Sequence, residues 1–224
     1  MITKDKTQRH TVIFDLDGTL LDTLEDLAGS VNFALKENGY PERTLPEVRG
    51  FLGNGIRYLI RRAVPEDISE EDYEKTFQCF RRYYLVHCMD KTKPYEGIID
   101  LLKELKTNHF KLGIVSNKLQ PAVEELNACF FSDLVDVAIG ESKEVRRKPA
   151  PDTVLMALQR LNSVREDAIY VGDSEVDILT ANQTGLPCLS VLWGFRDRDF
   201  LLTHNATMLV EKPAEILKKL KFPI

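Results

Sequence analysis

The sequence predicts an α/β fold in which a parallel sheet is covered by helices on both faces. From residue 93 onward, short apolar runs alternate with segments of helical periodicity, the order that builds a parallel sheet. VIF, LGIV and AIYV are uninterrupted apolar runs, as in strands buried on both faces. Residues 22–92 show helical patterns only. We therefore expect an α/β core of residues 1–21 and 93–224, with residues 22–92 inserted as a small helical cap after the first strand.

The first part of the chain is predicted to contain one strand followed by helices. TVIFDLD (residues 11–17) is a short apolar run typical of a strand. The segment at 23–40 has helical periodicity and stops at Asn38-Gly39, a common helix end. Helical patterns also cover residues 45–64 and 69–89, and KPYEG (93–97) follows them as a turn.

Helices and strands alternate in the rest of the chain. The predicted helices are IIDLLKELKTN (98–108), LQPAVEELNACF (119–130), APDTVLMALQRL (150–161) and VDILTANQTG (176–185). The predicted strands are KLGIVSN (111–117), VDVAIG (135–140), DAIYVGD (167–173) and PCLSVLWG (187–194). The segments ATMLVEK and PAEILKKL close the chain.

Composition argues against several classes of protein. The 224 residues are 43% hydrophobic and 29% charged, as in a globular protein. The net charge of −5 argues against a broad basic surface for nucleic acid. The polar start MITKDKTQRH lacks the apolar core of a signal peptide, and no apolar run reaches the length of a membrane span. Cys79, Cys88, Cys129 and Cys188 form no CxxC pair, so we expect reduced thiols in a cytoplasmic protein without nucleic-acid or membrane partners.

Polar side chains gather where three predicted strands end. The clusters are Asp15, Asp17, Gly18 and Thr19 after the first strand, Ser116 and Asn117 after the second, and Gly172 and Asp173 after the third, with Asp177 one helical turn further on. Lys148 lies just before another predicted helix. Because ligands bind outside the carboxyl ends of parallel strands, we expect these residues to share one site.

Four crowded carboxylates repel one another, and a hard divalent cation relieves that repulsion. Oxygen ligands suit Mg²⁺, which keeps several waters and usually shares its ligand shell with a phosphate. A phosphate would also explain Ser116, Lys148 and the glycine turn after Asp17, which supply hydrogen-bond donors. Each feature alone has a plain structural reading: Asp17-Gly18 as a turn, Ser116-Asn117 as a helix cap and Lys148 as a surface lysine. The prediction therefore rests on the whole set.

The clusters resemble the motifs of a known superfamily, in the same order. DLDGTLLD, VSN, KPAPD and VGDSEVD, which run from residue 15 to residue 177, are similar to the four motifs of the haloacid dehalogenase (HAD) superfamily. The place of the helical insertion resembles the cap of the branch that includes phosphoglycolate phosphatases and β-phosphoglucomutase. FDLDGTLLDT, and GNG within FLGNGIRYLI, look most similar to phosphoglycolate phosphatase. The resemblance implies a Rossmann-like core with a helical cap.

The resemblance also implies a Mg²⁺-dependent phosphatase that acts on a small phosphorylated metabolite, with phosphoglycolate as the leading substrate. Asp15 would attack phosphorus and form an aspartyl-phosphate, and Asp17 would act as general acid and base. Mg²⁺ would be held by the Asp15 carboxylate, the Asp17 backbone carbonyl and Asp173, with Asp177 as a ligand or just behind one. The residues implied in binding the phosphoryl oxygens are Gly18, Thr19, Ser116, Asn117 through its backbone, and Lys148.

Other activities on the same scaffold stay open. A sugar-phosphate mutase would return the phosphoryl group to a substrate, but the DGT that contains Thr19 favours a phosphatase. Pyrophosphatase and nucleotidase activities are further alternatives. A non-catalytic phospho-acceptor module is disfavoured because such domains lack the long helical insertion. The sequence predicts neither the particular phosphomonoester nor the oligomeric state.

Substrate choice is predicted to depend on the helical cap. Gly53, Asn54 and Gly55 precede IRYLIRRA, where helix N–H groups would face an anionic substrate, with Arg57 or Arg49 beside it. The alternative is a plain turn between helices, whose neighbouring arginines lie on a solvated face.

Overall fold

The structure, a computed structural model, describes residues 9–221, with side chains described up to residue 220. The polar start at residues 1–8 lies outside this part of the chain. The described chain divides into two compact units. One unit joins the residues up to Leu20 with those from Pro94 onward, and the other is the continuous segment Leu21–Lys93.

Six of the described strands form one parallel sheet. The strands are β1 (Thr11–Phe14), β2 (Leu21–Asp22), β3 (Lys93–Pro94), β4 (Lys111–Leu119), β5 (Val137–Glu141), β6 (Ala168–Gly172), β7 (Cys188–Val191) and β8 (Met208–Val210). The large sheet has the order β5-β4-β1-β6-β7-β8, and its neighbouring strands are all parallel. β2 and β3 form a separate two-stranded ladder. The predicted parallel α/β fold is confirmed.

Strand β1 lies where the strand order changes direction. The chain passes from β1 to β4 and β5 on one side, and then to β6, β7 and β8 on the other. Val12, Ile13 and Phe14 of β1 have no exposed surface, as expected for the centre of a sheet covered on both faces. Because ligands of such sheets bind at the carboxyl ends of the strands at this switch point, the residues after β1 and β6 and those near the end of β4 are brought together.

Helices make up most of the remaining described chain. They are α1 (Leu24–Glu37), α2 (Leu45–Phe51), α3 (Gly55–Ala63) and α4 (Glu70–His87) in the continuous unit, then α5 (Ile98–Thr107), α6 (Gln120–Phe130), α7 (Asp152–Arg160), α8 (Glu175–Thr184), α9 (Arg198–Thr203) and α10 (Pro213–Lys221) in the other. Ile13 and Tyr170 of the sheet pack with Val154 and Ala157 of α7 in one buried cluster. This packing of helix on sheet covers the strands that carry the predicted site.

The helical pattern over residues 45–64 forms two helices, which are separated near the Gly53-Asn54-Gly55 motif. α2 ends at Phe51 and α3 begins at Gly55. Gly53 and Gly55 have φ values of 108° and 77°, a left-handed conformation that interrupts a right-handed helix. The apolar pattern continues across the break, so the glycine motif and not the periodicity indicated it. The segments α9 and β8, of 6 and 3 residues, were not predicted because neither is long enough to show a period.

Candidate active site

The carboxyl end of β1 places Asp15 at the centre of the sheet edge. The Asp15 backbone N–H donates to the Val171 carbonyl at 2.8 Å, which continues the pairing with β6 by one residue. The side chain of Asp15 is buried, and Thr19 Oγ1 donates to its Oδ2 at 3.4 Å. The strand and the turn after it therefore hold this carboxylate in a defined position.

The turn after Asp17 requires a glycine. Gly18 has a φ of 91°, which side chains rarely tolerate. A Cβ at this position would lie 2.3 Å from Asp173 Oδ2 and 2.9 Å from the Phe195 ring. Gly18 thus allows the chain after β1 to approach the end of β6.

A buried lysine joins the ends of these strands. Lys148 Nζ lies 2.5 Å from Asp15 Oδ1, 2.7 Å from Asp177 Oδ1 and 3.1 Å from the Tyr170 hydroxyl. An ammonium has three hydrogens, and all three find acceptors here. Burial alone would lower the pKa of Lys148, but the carboxylates of Asp15 and Asp177 outweigh it and raise the pKa above its ordinary value. Lys148 is therefore a fixed positive charge beside Asp15.

The side chain of Asn117 fixes the backbone of Lys148. Asn117 Oδ1 accepts from the Lys148 N–H at 2.6 Å, and Asn117 Nδ2 donates to the Lys148 carbonyl at 3.1 Å. Two bonds to one residue set the position of its Cα and hence the origin of its side chain. The resemblance implies a role for Asn117 through its backbone alone, and the structure adds this positioning role of its side chain.

Asp177 is a buried anion that is satisfied by hydrogen bonds. Its Oδ1 accepts from Lys148 and Tyr170, and its Oδ2 accepts from the backbone N–H groups of Asp173 and Ser174 and from Ser174 Oγ. Burial raises the pKa of Asp177, but Lys148 and these donors outweigh burial and hold the pKa below its ordinary value. With both oxygens engaged, Asp177 fits a place behind the metal ligands better than direct ligation.

Asp173 and Asp15, in contrast to Asp177, have pKa values above the ordinary value of an aspartate. Burial, followed by repulsion from Asp177 and Asp15, raises the pKa of Asp173 well above its ordinary value. Burial likewise raises the pKa of Asp15 to about 7, against the attraction of Lys148. Oxygen atoms of Asp15, Asp173 and Asp177 lie within 4.8 Å of one another. A buried cluster of carboxylate oxygens with this surplus of negative charge fits a hard metal cation.

A second lysine contacts Asp17. Lys118 Nζ lies 2.7 Å from Asp17 Oδ1, and Ser116 Oγ donates to Asp17 Oδ2 at 3.4 Å. Ser116 and Lys118 are two residues apart on β4, so their side chains leave the strand on the same side. Lys118 was not among the predicted site residues. Its spacing from Ser116 was the one signal in the sequence that could have indicated it.

The segment after β7 supports the site through one backbone N–H and one indole N–H. The Phe195 N–H donates to Asp173 Oδ2 at 2.6 Å, and Trp193 Nε1 donates to the Thr19 carbonyl at 3.0 Å. A Cβ on Gly194, between them, would lie 2.3 Å from Asp173 Cβ. Phe195 was missed because a backbone donor leaves no mark in the sequence, and Trp193 and Tyr170 were missed because an aromatic residue in or after an apolar strand is usually a packing residue.

In the continuous unit, the predicted substrate-selecting arginine has partners of its own. Arg57 pairs with Glu74 at 2.9 Å and lies over the Phe77 ring, 4.2 Å from its centroid. Asn54 occupies the N-cap position of α3, and its side chain makes no capping hydrogen bond. Contact of Asn54 or Arg57 with a substrate stays a prediction.

Comparison with known proteins identifies the class. Residues 12–191, which include all four clusters, match the family model described as haloacid dehalogenase-like hydrolase. The chain belongs to this family of hydrolases, as its motifs predicted. No helix within residues 9–221 is both long and apolar enough to cross a membrane.

Individual relatives are similar over nearly the whole chain. A phosphoglycolate phosphatase of Aquifex aeolicus (strain VF5) is 35% identical over 210 residues, covering 93% of this chain and 95% of the relative. Phosphoglycolate phosphatase 1 of Pseudomonas aeruginosa is 31% identical, covering 92% of this chain and 78% of the relative. A crystal structure from Lactobacillus delbrueckii subsp. bulgaricus, whose description proposes a phosphoglycolate phosphatase, matches with a TM-score of 0.92 at 33% identity, covering 96% and 99% of the two chains.

Proposed function

We propose that the chain is a phosphatase that uses Mg²⁺ and hydrolyses phosphoglycolate. The observation that carries the proposal is the buried contact of Asp15 with Lys148 at the carboxyl end of β1, beside Asp173. Phosphoryl transfer of this kind needs a nucleophilic carboxylate, a fixed cation and a carboxylate that can bind a metal ion, which Asp15, Lys148 and Asp173 would supply. The relatives named phosphoglycolate phosphatase, at 35% and 31% identity, support the choice of substrate.

In the first step, a carboxylate oxygen of Asp15 forms a bond to phosphorus. The bond from phosphorus to the leaving-group oxygen breaks, and that oxygen takes a proton from Asp17. Lys148, which is held by Asn117, keeps a positive charge beside the reacting oxygens. Repulsion between the carboxylate and the phosphate is thereby reduced.

In the second step, a water molecule attacks the phosphorus of the aspartyl-phosphate. Asp17, now a carboxylate, takes the proton from that water, and the bond between Asp15 and phosphorus breaks. Phosphate is released and the Asp15 carboxylate is restored. Splitting the reaction in this way replaces one difficult step with two easier ones.

The two carboxylates whose pKa values are raised, those of Asp15 and Asp173, would hold a metal ion together with the Asp17 backbone carbonyl. Asp177 would support these ligands through its hydrogen bond from the Asp173 N–H. When bound, Mg²⁺ would neutralise charge on the phosphoryl oxygens. We also propose that residues 53–57 select the substrate. A cytoplasmic location is a further part of this proposal.

The substrate assignment is tested by a panel of phosphorylated metabolites. We expect steady release of phosphate with Mg²⁺, the highest kcat/KM for phosphoglycolate, and loss of turnover when EDTA removes the metal. Glycolate and phosphate should form in equal amounts, because water is the final acceptor.

The panel also separates the alternatives. Interconversion of sugar phosphates without release of phosphate would indicate a mutase. A single phosphorylation of the protein without turnover would indicate a phospho-acceptor module. A preference for pyrophosphate or a nucleotide would be consistent with the proposed mechanism but would contradict phosphoglycolate as the substrate.

Metal binding should depend on pH with a defined sign. Because burial raises the pKa values of Asp173 and Asp15, these groups destabilise the metal-free fold as pH rises from their unfolded pKa of about 4 toward the folded value of about 7 for Asp15. Mg²⁺ at a hundredfold excess over its Kd should therefore raise Tm by roughly 5–10 °C at pH 8. At the same Mg²⁺ concentration the shift should be much smaller at pH 5, where protons occupy the same oxygens and raise the Kd.

The matched variant for this measurement is Asp173→Asn, which keeps the size of the side chain and removes its charge. We expect it to lose most of the Mg²⁺-dependent shift at pH 8. An equal shift in the variant, or an equal wild-type shift at both pH values, would contradict this metal site.

A further inference from the structure

Three cationic side chains are buried among the described residues: Lys118, Lys148 and Arg196. Lys148 lies between two buried aspartates, and Arg196 forms a two-point ion pair with Glu175. Lys118 instead pairs with Asp17, whose side chain is 21% exposed. Asp17 is the most exposed of the four predicted site aspartates, so its ion pair with Lys118 is more open to a ligand than the ion pairs of Lys148.

The ammonium of Lys118 is held in place. Its side chain is only 7% exposed, and its Nζ lies 2.7 Å from Asp17 Oδ1. The Lys118 N–H donates to Ser116 Oγ at 3.1 Å, and Ser116 Oγ in turn lies 3.4 Å from Asp17 Oδ2. A lysine fixed in this way is not a surface side chain that samples many conformers. Its charge belongs to the site.

The position of Lys118 places it beside the leaving group. Asp17 must reach the leaving-group oxygen to protonate it, so the leaving group lies against Asp17 and close to the Lys118 ammonium. In phosphoglycolate the leaving group is glycolate, whose carboxylate is attached to the carbon next to that oxygen. A further carboxylate entering a site with four aspartates is repelled unless a cation faces it.

We infer that Lys118 is a specificity-determining residue that binds the carboxylate of the leaving group and so selects phosphomonoesters of short hydroxy acids. The inference rests on the proposed phosphatase function and adds the group that distinguishes one phosphomonoester from another. A lysine ammonium has three hydrogens, so Lys118 can donate to this carboxylate while one hydrogen stays on Asp17.

The test compares two esters that differ at one group. Phosphoglycolate carries a carboxylate where 2-hydroxyethyl phosphate carries a neutral CH₂OH. The readout is the ratio of their kcat/KM values, because any general effect on Asp17 changes both rates and cancels in the ratio. Lys118→Met should lower this ratio roughly 10- to 100-fold, mainly through the KM for phosphoglycolate, as expected for loss of a charge-assisted hydrogen bond.

Two further variants complete the comparison. Lys118→Arg keeps the charge and should restore part of the ratio. Lys111 is the matched control, because it lies at the other end of the same strand and its Nζ contacts the Asn162 carbonyl. Lys111→Met should leave the ratio of kcat/KM values unchanged. The inhibition constant of glycolate reports binding of the carboxylate without its own turnover. Inhibition should weaken in Lys118→Met and stay unchanged in Lys111→Met.

The outcomes are distinct. Equal losses for both esters in Lys118→Met, with the ratio and glycolate inhibition unchanged, would overturn the inference and leave Lys118 as a residue that only orients Asp17. If Lys118→Met does not fold, an unchanged ratio in Lys118→Gln would overturn it equally. Absence of turnover of both esters by the wild-type protein would overturn the proposed function itself, whatever the variants do.

Discussion

Replacement of Asp15 by asparagine is expected to lower phosphate release by about 10⁴-fold or more. The amide has nearly the same size as the carboxylate, but it cannot form the covalent bond to phosphorus on which the proposed reaction depends. Single-turnover and steady-state assays of phosphate release with phosphoglycolate and Mg²⁺ would measure the loss.

The same variant is expected to stay folded. Burial raises the pKa of Asp15 to about 7, so ionising this side chain in the folded protein at pH 8 is unfavourable relative to the unfolded chain. Asparagine removes that cost, but it also removes one of the two carboxylates that neutralise buried Lys148. Because Asp177 still pairs with this lysine and the asparagine carbonyl can accept from it, we expect the variant to fold, with a circular dichroism spectrum like that of the wild-type protein and a cooperative thermal transition at pH 8.

An exposed aspartate provides the matched control. Asp133 lies on the surface in the turn after α6, and Asp133→Asn should retain wild-type turnover. Retention of more than a few per cent of activity in folded Asp15→Asn would show that Asp15 is not the nucleophile.

The sequence was sufficient to predict which side chains lie at the carboxyl ends of the strands. Asp15 and Asp173 follow runs that could only be buried strands, and parallel strands bring their carboxyl ends to one edge. Lys148 was predicted to lie in the site because it occurs together with the aspartate and serine clusters in the sequence. The structure places its Nζ 2.5 Å from Asp15 Oδ1. Topology brought Asp15 and Asp173 to one edge of the sheet, whereas the placement of Lys148 depended on the whole set of motifs.

Prediction failed where a contact joins distant parts of the chain through groups with no distinctive pattern. Lys118 and Asp17 are 101 residues apart, and nothing in the sequence pairs them. Tyr170 reads as one more apolar residue of AIYV, yet its hydroxyl donates to Asp177 at 2.9 Å. The Phe195 N–H that orients Asp173 is a backbone group that every residue except proline carries. Such contacts need coordinates.

Replacement of Asp17 by asparagine is expected to lower turnover of phosphoglycolate about 10²- to 10⁴-fold, and the failing step should depend on the leaving group. Glycolate leaves as a poor alkoxide, so without a proton from Asp17 the first step is blocked and little aspartyl-phosphate forms. p-Nitrophenolate is stable as an anion and needs no acid. With p-nitrophenyl phosphate the first step should proceed, and the aspartyl-phosphate should accumulate because no base activates the water.

Acid quenching and intact-protein mass spectrometry would detect this phosphorylated intermediate, and a burst of p-nitrophenolate would report its formation. The double variant Asp15→Asn/Asp17→Asn is the matched control, because it retains the neutral residue 17 and lacks the carboxylate that accepts phosphorus. An adduct that persists in the double variant would place the phosphoryl group on another residue. Normal turnover of phosphoglycolate by Asp17→Asn would remove the acid-base role, since an amide at this position can neither give nor take the proton.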